Sequence, residues 1–165
     1  MNIPPIHPRT TPLADVTLLV GRLALGVVMI AHGLQKLDEG GLGATADGFE
    51  AMGIPAASAA ALFAVSIEVG GGVMILLGAL TPVVGVLWAL NMAGAWWFVH
   101  RDAFFAGDGG YELVLVLGAL GLVLAGTGAG RISVDALLTR GRTPEQEGRS
   151  RRLDGTSRDV HADSM

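Results

Sequence analysis

The chain has 165 residues, of which 51% are hydrophobic and only 16% are charged, and its mean hydropathy is +0.54. The formal net charge of −4 carries little information, because the charges are concentrated at the ends and in one loop, and nothing in the composition suggests a nucleic-acid partner. The absence of cysteine excludes disulfide chemistry and thiolate metal ligation by the chain itself. Long apolar runs and 25 glycines are instead typical of a small protein that crosses a lipid bilayer several times.

The first membrane span is predicted at residues 13–37, after a short proline-containing cytoplasmic tail at residues 1–12. This apolar run is too long for the core of a signal peptide, and no small-residue cleavage motif ends it, so we expect a retained helix. The run Asp38-Glu39-Gly40-Gly41 interrupts the apolar pattern and predicts the end of the helix.

A short helix is predicted in the connection between spans one and two. Thr45 is a suitable N-cap for a helix that continues to Met52 and is closed by Gly53. The segment has an apolar side that carries Phe49 and a polar side that carries Glu50, so we expect it to lie at the membrane interface. A mobile glycine-rich loop is the alternative.

Three further apolar segments complete a predicted membrane domain at residues 13–135. They are spans two, three and four, at residues 56–80, 82–99 and about 111–130. The pair Thr81-Pro82 predicts that span three starts directly after span two, as an antiparallel hairpin. We therefore predict an all-α fold, an integral membrane four-helix bundle with a short interfacial helix between spans one and two.

The composition changes at the end of the chain, where acids and arginines alternate without a hydrophobic period. We expect residues 136–165 to form a largely disordered, arginine-rich tail. A series of arginines follows the last span and Arg9 precedes the first, whereas the loops on the other side hold only Lys36 and Arg101. The positive-inside rule then places both termini in the cytoplasm.

Three polar residues fall near the middle of the membrane: Arg22, Glu68 and Asn91. Charges at this depth usually pair with one another, so we interpret Arg22 and Glu68 as a structural buried pair with Asn91 beside it. His100 lies nine residues after Asn91, and an ideal helix points two such side chains in opposite directions. That spacing argues against a single site that contains both residues.

Four ionisable side chains fall near the outer ends of spans one, three and four: His32, Lys36, His100 and Glu112. They are candidate catalytic groups, because histidine titrates near neutral pH and lysine can donate to a developing oxyanion. Tyr111 lies beside them, and Trp96 or Trp97 could line an apolar slot. We predict no metal site, because the helices lack a paired histidine spacing.

Each of these residues also has a purely structural interpretation. Lys36 could snorkel to the membrane surface, and Glu112 could simply favour the positive N-terminal end of span four. His32 could be a packing residue, and the tryptophans could be interface anchors.

Several short motifs occur in one order along the chain, and together they resemble the DoxX family over about residues 15–135. The motifs are Gly21-Arg22-Leu23, His32-Gly33-Leu34-Gln35-Lys36, Gly53-Ile54-Pro55, Glu68-Val69-Gly70-Gly71-Gly72 and Gly109-Gly110-Tyr111-Glu112. The resemblance implies a four-helix protein of the bacterial inner membrane. It also implies similarity to the small membrane subunit of thiosulfate:quinone oxidoreductase, and association of some members with soluble redox enzymes in oxidative-stress defence.

Three functions are compatible with these features. The first is a quinone-linked oxidoreductase component, whose electrons come from a partner because the chain shows no evident electron carrier. The second is a membrane scaffold or assembly factor that docks soluble redox enzymes without chemistry of its own. The third is a small transporter or proton path that uses Arg22, Glu68 and His32. The implied partners are the lipid bilayer and soluble redox enzymes.

The predicted topology can be tested with single cysteines, because the natural chain has none. We expect Asp47→Cys and Asp108→Cys to react with an impermeant thiol reagent in intact cells, and Ser157→Cys to react only after lysis. Labelling of Ser157→Cys alone in intact cells would show the opposite orientation.

Overall fold

The computed structural model of the chain describes residues 11–139; the predicted N-terminal tail, up to residue 10, and the C-terminal tail from residue 140 lie outside the described residues. Within residues 11–139 all regular structure is helical, as predicted. The main helices are α1 (Pro12–Asp38), α2 (Gly41–Ala51), α3 (Ala57–Leu77), α4 (Thr81–His100), α5 (Glu112–Thr127) and α6 (Val134–Thr139). Helix α6 occupies the start of the segment that we expected to be disordered from residue 136.

Three helices in the described part of the chain, α1, α3 and α4, are long and apolar enough to cross a membrane. Helix α5 is equally apolar in character but has only 16 residues, or about 24 Å of length. It is shorter than the predicted span because Gly128, with φ of +75°, ends it early. Large apolar side chains stay exposed along these helices, as expected of a surface that faces lipid. The chain is therefore a multi-pass helical membrane protein.

Local and long-range contacts both define the helix ends. The Thr11 side chain accepts a hydrogen bond from the Ala14 amide and caps α1. The start of α4 is capped from a distance, because the Asp135 carboxylate accepts hydrogen bonds from the amides of Leu80 (2.8 Å) and Thr81 (3.0 Å). The predicted start at Pro82 is one residue late, because the helix already includes Thr81, and its cap comes from α6.

The connection between α1 and α3 contains a helix, α2, as predicted, and not the glycine-rich loop that was the alternative. Helix α2 begins at Gly41, four residues before the predicted cap. Thr45 does not cap it, because the Thr45 hydroxyl donates to the Gly41 carbonyl oxygen at 2.9 Å from inside the helix. The helix ends at Ala51, one residue before the predicted end at Met52. Gly53 closes it as predicted, because it follows the cap residue Met52 with a φ of +75°.

Glycines bring two pairs of helices into backbone contact. In the α1–α3 pair, a methyl group added at Gly26 would lie 2.9 Å from the carbonyl oxygen of Gly72. In the α4–α5 pair, a methyl group added at Gly85 would lie 2.6 Å from the carbonyl oxygen of Gly121. Both distances are too short for a side chain, so the bundle depends on small residues at these crossings.

Two helices contain a wider π-helical turn, at Ile67–Gly71 in α3 and at Trp96–His100 in α4. A π turn shifts the phase of the residues that follow it, and such turns are frequent at functional sites. The turn in α4 lies between Asn91 and His100, which an ideal helix would point apart. Both residues line the same cavity in the structure, so the predicted separation of these two side chains is wrong.

The glycine contacts can be tested within α4, where two glycines differ in their surroundings. We expect Gly85→Ala to destabilise the bundle by about 1–3 kcal/mol, because the added methyl group meets backbone atoms that cannot move aside. The matched control is Gly94→Ala, where no atom lies within 4 Å of the added carbon and a small stabilisation is expected. Thermal unfolding in detergent measures both, and equal melting temperatures would contradict the contact.

Candidate functional site

The Glu68 carboxylate is the centre of the polar groups inside the bundle. Lys36 Nζ lies 2.8 Å from Oε1 and 2.7 Å from Oε2, so one ammonium group bridges both oxygens. The Asn91 amide approaches Oε1 at 3.4 Å. The side chain of Glu68 is only 5% exposed and that of Lys36 is 26% exposed. The structure thus joins two residues that the sequence analysis assigned to different depths.

Side-chain direction explains why Lys36 reaches Glu68. Side chains on a helix tilt toward its N-terminus, so the long lysine side chain extends back by about one turn, to the level of Gly33. Gly33 is also where α1 touches α3, since a methyl group added there would lie 2.9 Å from Glu68 Cβ. The glycine therefore provides the close approach, and the lysine three residues later provides the charge.

The predicted pair of Arg22 and Glu68 is wrong. Arg22 is 1% exposed, and its guanidinium donates to the carbonyl oxygens of Ala129 (2.9 Å) and Ile132 (2.7 Å). These carbonyls lie in the segment that links α5 to α6, so backbone oxygens, and not the Glu68 carboxylate, bind Nη1 and Nη2 of Arg22. The buried Nε of Arg22 has no hydrogen-bond partner within the described residues. Gly78 leaves the space, because a side chain there would clash with Arg22 Nη1.

Two acids that the sequence analysis did not consider hold this end of the bundle together. Asp15 is buried and accepts a hydrogen bond from the Arg131 amide at 2.9 Å, while the Arg131 side chain lies 3.9 Å from its second oxygen. Asp135 caps α4, as described above. In the sequence, each acid lies close to the end of an apolar segment, and this position was the only indication of its structural role. Together with Arg22 they fix the α5–α6 connection to α1 and α4.

Two cavities meet at Glu68. The lateral cavity, of about 570 Å³, lies between α2, α3 and α4. The inner cavity, of about 210 Å³, lies between α1, α4, α5 and the loop that precedes α5. Four residues border both cavities: Lys36, Glu68, Ala95 and His100. The ion pair and one histidine therefore form the wall between an apolar recess on the outside and a small chamber inside the bundle.

The histidines of the predicted outer group both border the inner cavity. His100 Nδ1 lies 2.7 Å from the Gly109 carbonyl oxygen. A carbonyl oxygen only accepts, so Nδ1 carries the proton and Nε2 of the neutral ring is an acceptor. His32 lines the inner cavity, and its side chain forms no hydrogen bond within the described residues. Lys36, His32 and His100 are thus close together, as predicted.

The other members of the predicted outer group lie apart from Glu68. Glu112 accepts a hydrogen bond from the Ala106 amide at 2.8 Å and so holds the loop before α5. Tyr111 packs edge-on against Phe104, and Trp96 and Tyr111 line a separate groove between α4 and α5. Trp97 lies under the Arg101 guanidinium at 5.6 Å.

In residues 11–139 no group of three or more His, Asp or Glu side chains is placed to hold a metal ion.

Comparison with known proteins agrees with this architecture. The sequence model of the DoxX family matches residues 17–101, which include Lys36, Glu68, Asn91 and His100. The chain is similar to the Bacillus subtilis (strain 168) protein named "Putative oxidoreductase CatD", at 32% identity over 128 residues, or 78% of this chain and 91% of the relative. It is also similar to the Escherichia coli (strain K12) protein named "Inner membrane protein YphA", at 32% identity over 127 residues, or 73% and 89%. No solved structure matches the chain significantly.

A double-mutant cycle distinguishes the observed ion pair from the one first expected. We expect Lys36→Met to cost about 3 kcal/mol of unfolding free energy, because it leaves the Glu68 carboxylate buried and unpaired. Combining it with Glu68→Gln should cost clearly less than the sum of the single changes. Arg22→Met and Glu68→Gln share no partner, so their effects should add within about 0.5 kcal/mol. Denaturant unfolding measures the cycle, and stronger coupling of Glu68 to Arg22 than to Lys36 would contradict the structure.

Proposed function

Because the chain belongs to the DoxX family, we propose that it is a membrane component of a quinone-linked redox system and binds a lipid-soluble quinone beside Glu68. We further propose that it resides in the bacterial inner membrane with both termini in the cytoplasm. The names of its relatives, an oxidoreductase and an inner membrane protein, support this proposal.

The lateral cavity is the observation that carries the proposal. Its volume of about 570 Å³ is within the range of small-molecule sites, roughly 300–1,000 Å³. Its walls are mostly apolar and aromatic, with Phe49, Phe63 and Phe98 among them, and its polar groups are gathered at Glu68. A quinone has this same combination of a flat apolar ring and two polar oxygens.

The cavity is also reached from the lipid-facing surface. Leu90, Phe63 and Phe98 belong to its walls and have exposed side chains on the outside of α3 and α4. Met52 of the segment after α2 is exposed at the same rim. A ligand dissolved in the bilayer can therefore reach the ion pair without passing through water, which suits a quinone with a long apolar tail.

The residues at the shared wall have complementary roles. Lys36 and Asn91 supply N–H donors that can bind one quinone oxygen, while Glu68 holds the ammonium in place. His100 borders both cavities, and its Nε2 acceptor can exchange protons with the chamber beneath the loop. Reduction of a quinone to a quinol takes up two electrons and two protons. The electrons come from a soluble redox enzyme. Lys36 delivers one proton from its ammonium group, and His100 delivers the second after its Nε2 has taken up a proton from the inner cavity. Lys36 is then protonated again from the same cavity, which it also borders.

A scaffold without chemistry is the second candidate, but it does not account for the position of the polar groups. A structural requirement for charge neutrality is met by Lys36 and Glu68 alone. Asn91 and His100 add donors and acceptors that line the apolar recess, and a π turn places His100 there. The structural features therefore favour ligand binding over scaffolding alone.

Two neighbouring alanines in α3 provide a matched test of the lateral cavity. Ala60 lines the cavity, whereas Ala59 is exposed outside it. We expect Ala60→Phe to weaken binding of a short-chain quinone by at least about tenfold, because the added ring fills the recess, and Ala59→Phe to leave it unchanged. Asn91→Leu should weaken binding by about tenfold through loss of one hydrogen bond.

The dissociation constants can be measured from the quinone-dependent rise in melting temperature of the purified protein. Extraction and mass spectrometry of the same preparations would identify any quinone that purifies with the wild type. If quinone does not raise the melting temperature of the wild type, or if both phenylalanine variants bind it equally, the proposed site is wrong.

A further inference from the structure

A third recess lies on the side of the bundle formed by α4 and α5. This α4–α5 groove has a volume of about 550 Å³ and shares no lining residue with the lateral cavity. Buried Met92 and Val114 separate it from the inner cavity, since they border both. The quinone-binding proposal does not use this groove.

Small residues on both helices leave the space of the groove. Ala89 and Ala93 of α4 and Gly118 and Ala119 of α5 line it, next to the crossing where Gly85 meets Gly121. Leu115 and Leu122 form an exposed apolar rim. The apolar lining extends along α5 from Val114 to Leu122, or about 12 Å. An apolar recess of this extent on the lipid-facing surface matches part of an acyl chain in polarity and length.

One end of the groove is polar and carries a cation. Arg101 and Tyr111 lie there, with Trp96 beside them. The Arg101 side chain is 55% exposed, and its ion pair with Asp102 is long, at 3.8 Å, to a carboxylate that is 96% exposed. Such a pair is weak, so the guanidinium keeps donors for another anion. Tryptophan and tyrosine are typical of the headgroup level of a membrane.

We propose that the α4–α5 groove binds an anionic phospholipid. Its phosphate binds the Arg101 guanidinium, which matches phosphate in charge and in fork geometry, and the Tyr111 hydroxyl lies at the level of the glycerol esters. One acyl chain lies along the apolar lining of the groove, against its alanines and glycine. Charge complementarity favours this occupant, because the phosphate supplies the anion that the guanidinium binds and a quinone tail carries none.

The test compares phosphatidylglycerol with phosphatidylcholine on the full chain in detergent. Native mass spectrometry counts bound lipids, and the melting temperature gives their affinities. We expect one phosphatidylglycerol to bind more tightly than phosphatidylcholine. Arg101→Gln should weaken phosphatidylglycerol binding by about fivefold, with Arg131→Gln, an exposed arginine at the opposite end of the bundle, as the unaffected control.

A second pair of variants tests the part of the groove that would contact the acyl chain. Ala119→Phe fills the groove and should abolish the single tight lipid, while Val116→Phe, exposed on the same helix outside the groove, should not. Equal affinity for the two lipids, or no effect of Arg101→Gln, would overturn the proposal. So would a dimer that Ala119→Phe dissociates, or a quinone that displaces the lipid one for one, because either would assign the groove to another occupant.

Discussion

A carboxylate buried in an apolar helix is the constraint on which this bundle depends. An uncompensated charge in such a place costs several kcal/mol, whereas an ordinary hydrogen bond contributes only about 1 kcal/mol, so Glu68 requires a cation. Lys36 supplies it at 2.7 Å and 2.8 Å. The pair forms only because Gly33 lets α1 touch α3 at Glu68. Helix packing and the polar centre are therefore consequences of one contact, and a change at Gly33 would disturb both.

The two ends of the bundle satisfy their charges in different ways. Arg22 is bound by backbone carbonyls of the α5–α6 connection, and Asp135 uses its carboxylate to cap α4. The fold itself occupies the Asp135 carboxylate and two of the three guanidinium nitrogens of Arg22, while Arg22 Nε has no hydrogen-bond partner within the described residues. At the other end, Glu68 and His100 are also paired, but they border two cavities and keep further donors and acceptors available. This difference separates a structural end from the end where we propose that a ligand binds.

Small residues have two distinct effects in this fold. At Gly26, Gly72, Gly85 and Gly121 they allow backbones to touch, which replaces the hydrophobic driving force that helices lack in lipid. Where the same helices diverge, alanines and glycines leave recesses that open to the bilayer, such as the α4–α5 groove. The composition that allows tight crossings thus also creates surfaces that membrane-soluble molecules can fill.

The sequence by itself was enough to identify the family, the helical membrane architecture, the start of α4 to within one residue and the residues around which the polar centre is built. Hydrophobic runs and motif order are local properties, so a single chain displays them. The tertiary structure alone decided which charges pair. Helical depth was estimated from backbone positions, whereas Lys36 reaches Glu68 through a long tilted side chain, and Arg22 finds carbonyls more than a hundred residues away. The π turn that brings His100 toward Asn91 is likewise invisible in the residue pattern, because packing between helices sets the hydrogen-bond register within them.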